Sequence, residues 1–263
     1  MRDRLKAITN DVAFIWQFAI DDFKGKYAGS ALGVTWAFLQ PIITIVLYWF
    51  IFQLGFKSTP VDNFPFILWL MIGLVPWFFV SEAIPNATSC MVEYSYLVKK
   101  VLFDINILPL AKVVSTLLVQ FVLIIFAIIL YALFGYFPDV YYLQIPIYLV
   151  YMLVIVSGIS YLTATLYVFF KDVVQIVSIV IQIVFWLTPI VWDFGIMPEV
   201  VRKVLVFNPF YYVVNGYRNI FIYKQGMGQS LGMTIYYWGI AVVLLICGMR
   251  LFGKCKKHFA DVL

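Results

Sequence analysis

The chain has 263 residues, of which 64% are hydrophobic and only 12% charged, against roughly 45–50% apolar and about 25% charged in soluble globular domains. A water-soluble fold of this length cannot bury so much apolar side chain and still cover its surface, and the mean hydropathy of +0.99 agrees, so lipid is the solvent this chain is built for. The single histidine, His258, excludes His-dependent triads and multi-His metal sites. The cysteines Cys90, Cys247 and Cys255 lack C-x-x-C spacing, and the formal charge of +5 matters less than where the basic residues fall.

The first element in chain order is an amphipathic helix. Leu5, Ile8, Val12, Ile15, Ala19 and Phe23 recur at steps of three and four, while Asp11, Asp21, Asp22 and Lys24 take other faces. Residues 1–30 lack a compact apolar core followed by small residues, so the segment reads as an interface helix on the inner membrane surface and not as a cleavable signal. An ordinary soluble helix packed on loops is the plainer alternative. Gly29 and Gly33 form a weak G-x-x-x-G at the start of the next element.

Stretches free of Asp, Glu, Lys and Arg then mark membrane crossings, because a span needs about 20 mostly apolar residues and a central charge costs about 3 kcal/mol. Six such runs place spans near residues 33–55, 65–86, 108–134, 145–170, 174–194 and 230–252. Residues 87–107, with Glu93, Lys99 and Lys100 before Pro109, are expected to form a short helix facing a cytoplasmic partner. Residues 195–229 are long and still apolar. Pro198 starts one helix through Phe207, Asn208-Pro209 breaks it, and a second runs from Phe210 to Tyr223. Asn215, Arg218 and Asn219 make the second a poor full span, which leaves a pair of short re-entrant or interfacial helices, or a plain outer loop.

Orientation follows from the basic residues. With the N-terminus inside, Arg2, Arg4, Lys6, Lys24, Lys26, Lys99, Lys100, Lys171, Arg250, Lys254, Lys256 and Lys257 are inner, and Lys57, Arg202, Lys203, Arg218 and Lys224 are outer, with Lys112 at the inner end of the third span. This asymmetry favours both termini in the cytoplasm.

Chemical motifs are sparse. Gly248 to Cys255 nearly matches G-x-x-x-x-G-K-[ST], but it closes a membrane helix and ends on Cys where a magnesium-binding hydroxyl is required, so the chain is expected to have no ATP site of its own. Asn86-Ala87-Thr88 is a glycosylation sequon on the inner side and receives no role. Glu82 is the one acidic residue well within a span, open to a proton relay, a substrate hydrogen bond, or solvation by water or by Lys99 and Lys100. Lys171 and Asp172 mark an inner boundary. Gln175, Ser178 and Gln182 share one face of the fifth span, continued by Trp186, and such a face prefers protein or water to lipid. Thr35, Gln40 and Thr44 lie in the first span. Trp69, Trp77 and Tyr142 read as membrane-interface belts, whereas Trp36, Tyr48, Phe185 and Trp186 share helices with the polar residues. Flat rings can stack on the C–H faces of sugars while neighbouring amides and hydroxyls bond the sugar hydroxyls.

The run from Phe23 through Lys24-Gly25-Lys26-Tyr27-Ala28-Gly29-Ser30-Ala31-Leu32-Gly33-Val34-Thr35 to Trp36, with Pro41 and Tyr48, resembles the start of the permease subunits of ABC polysaccharide exporters, which move lipid-linked O-antigen, capsule or teichoic acid. The likeness continues in order through Gly73 to Trp77, Leu97 to Phe103, Leu108-Pro109, Phe169 to Asp172, Thr188-Pro189-Ile190, Asn208-Pro209-Phe210 and Arg218. Two positions depart from the family pattern, Phe103-Asp104 where Phe-Pro is common and Lys171-Asp172 where Arg-Asp is usual.

The resemblance implies an all-α membrane permease of six spans that pairs with a second copy of itself and with two copies of an ATP-binding subunit. That subunit would hold ATP and magnesium, this chain binding no cofactor and no nucleic acid. It implies a bacterial cytoplasmic (inner) membrane location, docking of the ATPase by helix 5–23 and segment 88–103, a channel between protomers walled by the first and fifth spans, and an exit gated by residues 197–223. Stripe and family layout together nominate Trp36, Tyr48, Gln182, Phe185 and Trp186 for the wall. Lys24, Lys26, Lys99 and Lys100 are assigned to lipid pyrophosphate or ATPase contact, and Asn208, Pro209 and Arg218 to the outer gate. A drug or small-molecule exporter would share this fold. A membrane glycosyl or acyl transferase would need paired carboxylates or a surface histidine, and only the Asp21-Asp22 pair approaches that.

Overall fold

A computed structural model describes residues 2–55, 64–99, 104–226 and 230–263, with side chains from residue 13 onward. Every regular element among these is helical. They are α1 (Arg2–Lys26), α2 (Trp36–Trp49, prolonged by a π-helical turn Phe50–Gly55), α3 (Phe66–Glu93), α4 (Ser95–Val98), α5 (Ile107–Leu133), α6 (Ile145–Phe169), α7 (Val173–Leu187), α8 (Glu199–Leu205), α9 (Pro209–Arg218), α10 (Leu231–Cys255) and α11 (Phe259–Val262).

Among the described residues five helical stretches are long and apolar enough to cross a membrane: Gly33–Gly55, Phe66–Glu93, Ile107–Leu133, Val140–Phe169 and Leu231–Val262. The sixth expected span is shorter than its charge-free run. α7 has 15 residues, about 22 Å at 1.5 Å per residue, against a hydrocarbon thickness of about 30 Å. It stops because Thr188 precedes Pro189 and takes an extended conformation, φ −100° and ψ 131°, as a residue before proline must.

The second span differs in the other direction. α3 runs to Glu93, beyond the expected end at residue 86, and buries Ala87, Thr88, Cys90 and Met91. Thr88 Oγ1 donates to the Ile84 carbonyl at 2.7 Å and lies 2.7 Å from Thr163 Oγ1 of α6, so this hydroxyl is satisfied inside the bundle. Among the described residues of the expected 87–107 segment, the short helix α4 follows α3.

α3 is the central post of the bundle. Its most apolar stretch is 78% buried, against 17% for those of Gly33–Gly55 and Leu231–Val262 at the periphery. A helix apolar all round must be covered all round, and α5, α6, α7 and α9 supply that cover. A small second core, including Cys90, Leu108, Tyr161, Val168, Phe252 and Phe259, closes the end of the bundle where α1 lies. At the other end the Tyr131 hydroxyl donates to the Leu68 carbonyl at 3.0 Å, and Lys224 pairs with Asp139 at 2.9 Å. The G-x-x-x-G proves to be a turn, with Gly29 at φ +82° and Gly33 at φ +52°, backbone that favours glycine.

Candidate functional site

Charge concentrates at the α1 end. Lys112, on the first turns of α5, has a side chain only 8% exposed, and its ammonium reaches Asp22 of α1 at 2.6 Å and Glu93 at the end of α3 at 2.8 Å. The Tyr94 hydroxyl also donates to Asp22, at 2.6 Å, while the Lys112 nitrogen lies 4.9 Å from the Tyr94 ring centre. Burial, then the bond to Asp22, raises the Tyr94 phenol well above its ordinary pKa and keeps it a donor. Four groups thus tie the amphipathic helix to two membrane helices. Asp22 is engaged here and is no free catalytic carboxylate.

Beside this clasp Lys26 pairs with Glu82 of α3. Burial alone would lower the Lys26 ammonium, and the Glu82 carboxylate more than reverses that, so its pKa lies above the ordinary lysine value. Glu82 therefore takes a counter-ion from α1. The pair separates two cavities. One, about 580 Å³, lies among α1, α3 and α5, with Asp21, Asp22, Glu82 and Glu93 against Lys26 and Lys112 in its lining. The other, about 300 Å³, lies between α2 and α3 and is lined by Tyr27, Gln40, Thr44, Ser81 and Asn86 beside the same pair. Lys24 and Lys99 are exposed on the same end, and Lys100 lies outside the described residues.

The nominated wall divides in two. Phe185 is buried, stacked on Tyr48 with centroids 6.0 Å apart and planes at 18°, and 5.6 Å from the Trp77 ring. These rings lock α7 to α2 and α3. Trp186, which meets Phe185 edge-on, points out at 53% exposure, and Trp36 and Gln182 are exposed as well. An apolar cavity of about 290 Å³, lined by Val80, Ile84, Ile159 and Val177 among others, separates α7 from α3 and α6.

At the far end the nominated gate residues form a tight knot. Asn208 Oδ1 accepts from the Phe210 amide at 3.0 Å and caps α9, Pro209 takes its first turn, and Asn208 Nδ2 donates to Thr188 Oγ1 at 2.8 Å. Arg218, 5% exposed, donates to the carbonyls of Pro189 at 2.5 Å and Ile190 at 2.8 Å, and its guanidinium carbon lies over the Trp69 ring, 3.6 Å from the ring centre. Those carbonyls are free because α7 has ended. Gly73 leaves the room, since a Cβ there would lie 2.9 Å from Arg218 Nη2. Trp69 and Trp77 are thus core residues, 1% and 6% exposed, and not belts, because α3 is enclosed.

The sequence model described as ABC-2 type transporter matches residues 14–222, from α1 to the turn after α9. The chain belongs to the ABC-2 type transporter family. The match takes in every nominated residue of this ABC-2 transporter, from Lys24 to Arg218. Two proteins of Klebsiella pneumoniae named O-antigen export system permease protein RfbA are 26% and 28% identical to it over 243 residues, 92% of each chain. A Myxococcus xanthus protein of the same name is 28% identical over 91% of each chain. The ABC-2 assignment makes the chain a membrane transport permease, not an enzyme. Lys112 with Asp22 is the pair that sequence reading missed, although a lysine at the start of an apolar run and an acidic doublet on an amphipathic helix were both visible.

Proposed function

We propose that this chain is the transmembrane subunit of an ATP-driven exporter that moves a lipid-linked polysaccharide across the bacterial cytoplasmic membrane, as a pair of identical chains served by two copies of a separate ATPase. Both termini are cytoplasmic. α1 and, of the segment near 88–103, the part beyond α3 that includes α4 receive the ATPase, α7 with the Thr188–Val191 stretch completes a sixth crossing, and α8 with α9 forms a re-entrant pair at the outer exit. The names of the RfbA proteins support the cargo.

The observation that carries the channel reading is a contrast between exposed faces. α10 exposes Leu231, Ile235, Val242, Val243 and Ile246, all aliphatic, as suits lipid. α7 exposes aliphatics too, Ile176, Ile179, Val180 and Ile183, but beside them Gln175, Ser178, Gln182 and Trp186 run in one line, and α2 exposes Trp36 and Gln40 beside Ile43, Val46 and Leu47. Amides and rings on one outward stripe fit a surface that meets a second protomer and a passing glycan.

The test joins assembly to transport. The chain is expected to co-purify with an ATPase, to form a disulfide-linked dimer when Gln182→Cys is oxidised, and to lose surface glycan on gene deletion. Failure to associate with any ATPase refutes the reading. The apolar cavity beneath α7 favours a second reading, export of an apolar small molecule, and unchanged surface glycan in the deletion strain selects it.

A further inference from the structure

We propose that the cavity of about 300 Å³ between α2 and α3 is a carbohydrate subsite within each protomer, seating a sugar of the glycan lipid beside the exposed stripe, with which it shares Gln40. The inference rests on the export reading and names a place for the cargo.

The lining is rich in hydrogen-bond acceptors. Pro41 and Pro85 stand inside α2 and α3 and carry no N–H, so the carbonyls four residues back, Ala37 and Ser81, lack their helical donors. All four residues line this one cavity. Within a membrane a carbonyl without a donor needs one from elsewhere. Two hydroxyls turn the same way. Thr44 Oγ1 donates to the Gln40 carbonyl at 2.9 Å and Ser81 Oγ to the Phe78 carbonyl at 3.3 Å, leaving their lone pairs to accept. Glu82 gives one oxygen to Lys26 and keeps the other. The amides of Gln40 and Asn86 add donors as well as acceptors.

Such a wall selects its ligand by chemistry. A phosphate at neutral pH offers mainly acceptors and would face acceptors, whereas sugar hydroxyls donate. Lys26 and Glu82 cancel in charge, so nothing on this wall attracts an anion strongly. The neighbouring cavity of about 580 Å³ is worse for a phosphate, with four carboxylates against two ammonium groups in its lining. The Tyr27 and Phe78 rings supply apolar faces for C–H contact. The volume lies at the small end of ligand pockets, roughly 300–1,000 Å³, which suits a short stretch of sugar and not a folded chain.

The test uses the full chain with its ATPase in the native host. Gln40→Ala/Asn86→Ala changes two residues that are not fully buried. It is expected to lower surface glycan at least fivefold while chain abundance and ATPase co-purification stay at wild-type levels. A photo-crosslinking p-benzoylphenylalanine in place of Thr44 is expected to give adducts whose mass spectra contain hexose or aminohexose. Those adducts should disappear in a strain lacking the glycosyltransferase that begins the glycan. Phospholipid adducts that persist in that strain, or wild-type export by the double variant, overturn the subsite. The gene deletion separates the two claims: if surface glycan survives it, the export reading falls, and if glycan is lost there but kept in the double variant, only the subsite falls.

Discussion

The two ends of the bundle each bury a cation, and they hold it in opposite ways. Lys112 is held by charge, with carboxylates arriving from α1 and from the end of α3. Arg218 is held by neutral dipoles, two carbonyls released where α7 stops, and by the face of Trp69. A buried ion pair depends on both charges, since either one left alone there has little water to replace its partner. A guanidinium threaded between carbonyls and a ring has no equivalent alternative place. The α1 end is thus joined to the bundle by charge between separate helices, and the α9 end by dipoles and a ring within one knot.

The sharpest way to break this comparison is Lys112→Met. It leaves Asp22, 7% exposed, without its counter-ion, and losing one partner of a buried pair costs about 3–5 kcal/mol. The Glu93 arm adds little because that side chain is 49% exposed and water screens it. The thermal midpoint of the solubilised protein should fall steeply. Asp22→Asn added to Lys112→Met should recover much of the loss, because the doubly neutral site strands no charge. An equal loss in single and double variants would mean that packing, not charge, holds α1.

Arg218→Lys comes next. A lysine keeps the charge but not the planar fork, so it cannot bond both carbonyls and lie over Trp69 together. The expected loss is about 2 kcal/mol in the same melting experiment. Gly73→Ala attacks the knot from the other side. Its Cβ would lie 2.9 Å from Arg218 Nη2 and 3.1 Å from the Ile190 carbonyl, and overpacking of this kind costs about 1–2 kcal/mol. The two changes share one contact, so their costs should not add. Strict additivity would separate Gly73 from the Arg218 clasp.

Much of this arrangement was legible in the sequence, and the exceptions share a cause. Charge-free runs located the five long spans because burial of a charge in lipid is so costly that its absence is a positive signal. The break at Asn208-Pro209 marked the boundary between α8 and α9 because proline and an N-cap act locally. What composition could not convey is which helix stands in the middle. Trp69 and Trp77 read as interfacial because most membrane tryptophans are, and only the enclosure of α3 makes them core. The end of α7 at Thr188 was written in the following proline, yet a charge count ran past it to Asp193. The Lys112 clasp joins residues 90 positions apart in the chain, a distance no local pattern spans.

The smallest expected effect belongs to Lys203→Ala, and it is the control for the whole comparison. Lys203 and Glu199 form an ion pair at 2.7 Å, as close as those of Lys112, but their side chains are 74% and 70% exposed on α8. Water already solvates both ions, and holding two long side chains in register costs entropy, so an exposed pair four residues apart contributes about 0.3–0.5 kcal/mol. The melting midpoint should scarcely move. If this loss matched that of Lys112→Met, distance alone would set the worth of a pair, and the distinction between a buried clasp and a surface contact would have no basis in this protein. If it stays near zero, the cost at Lys112 is the cost of a charge stranded away from water.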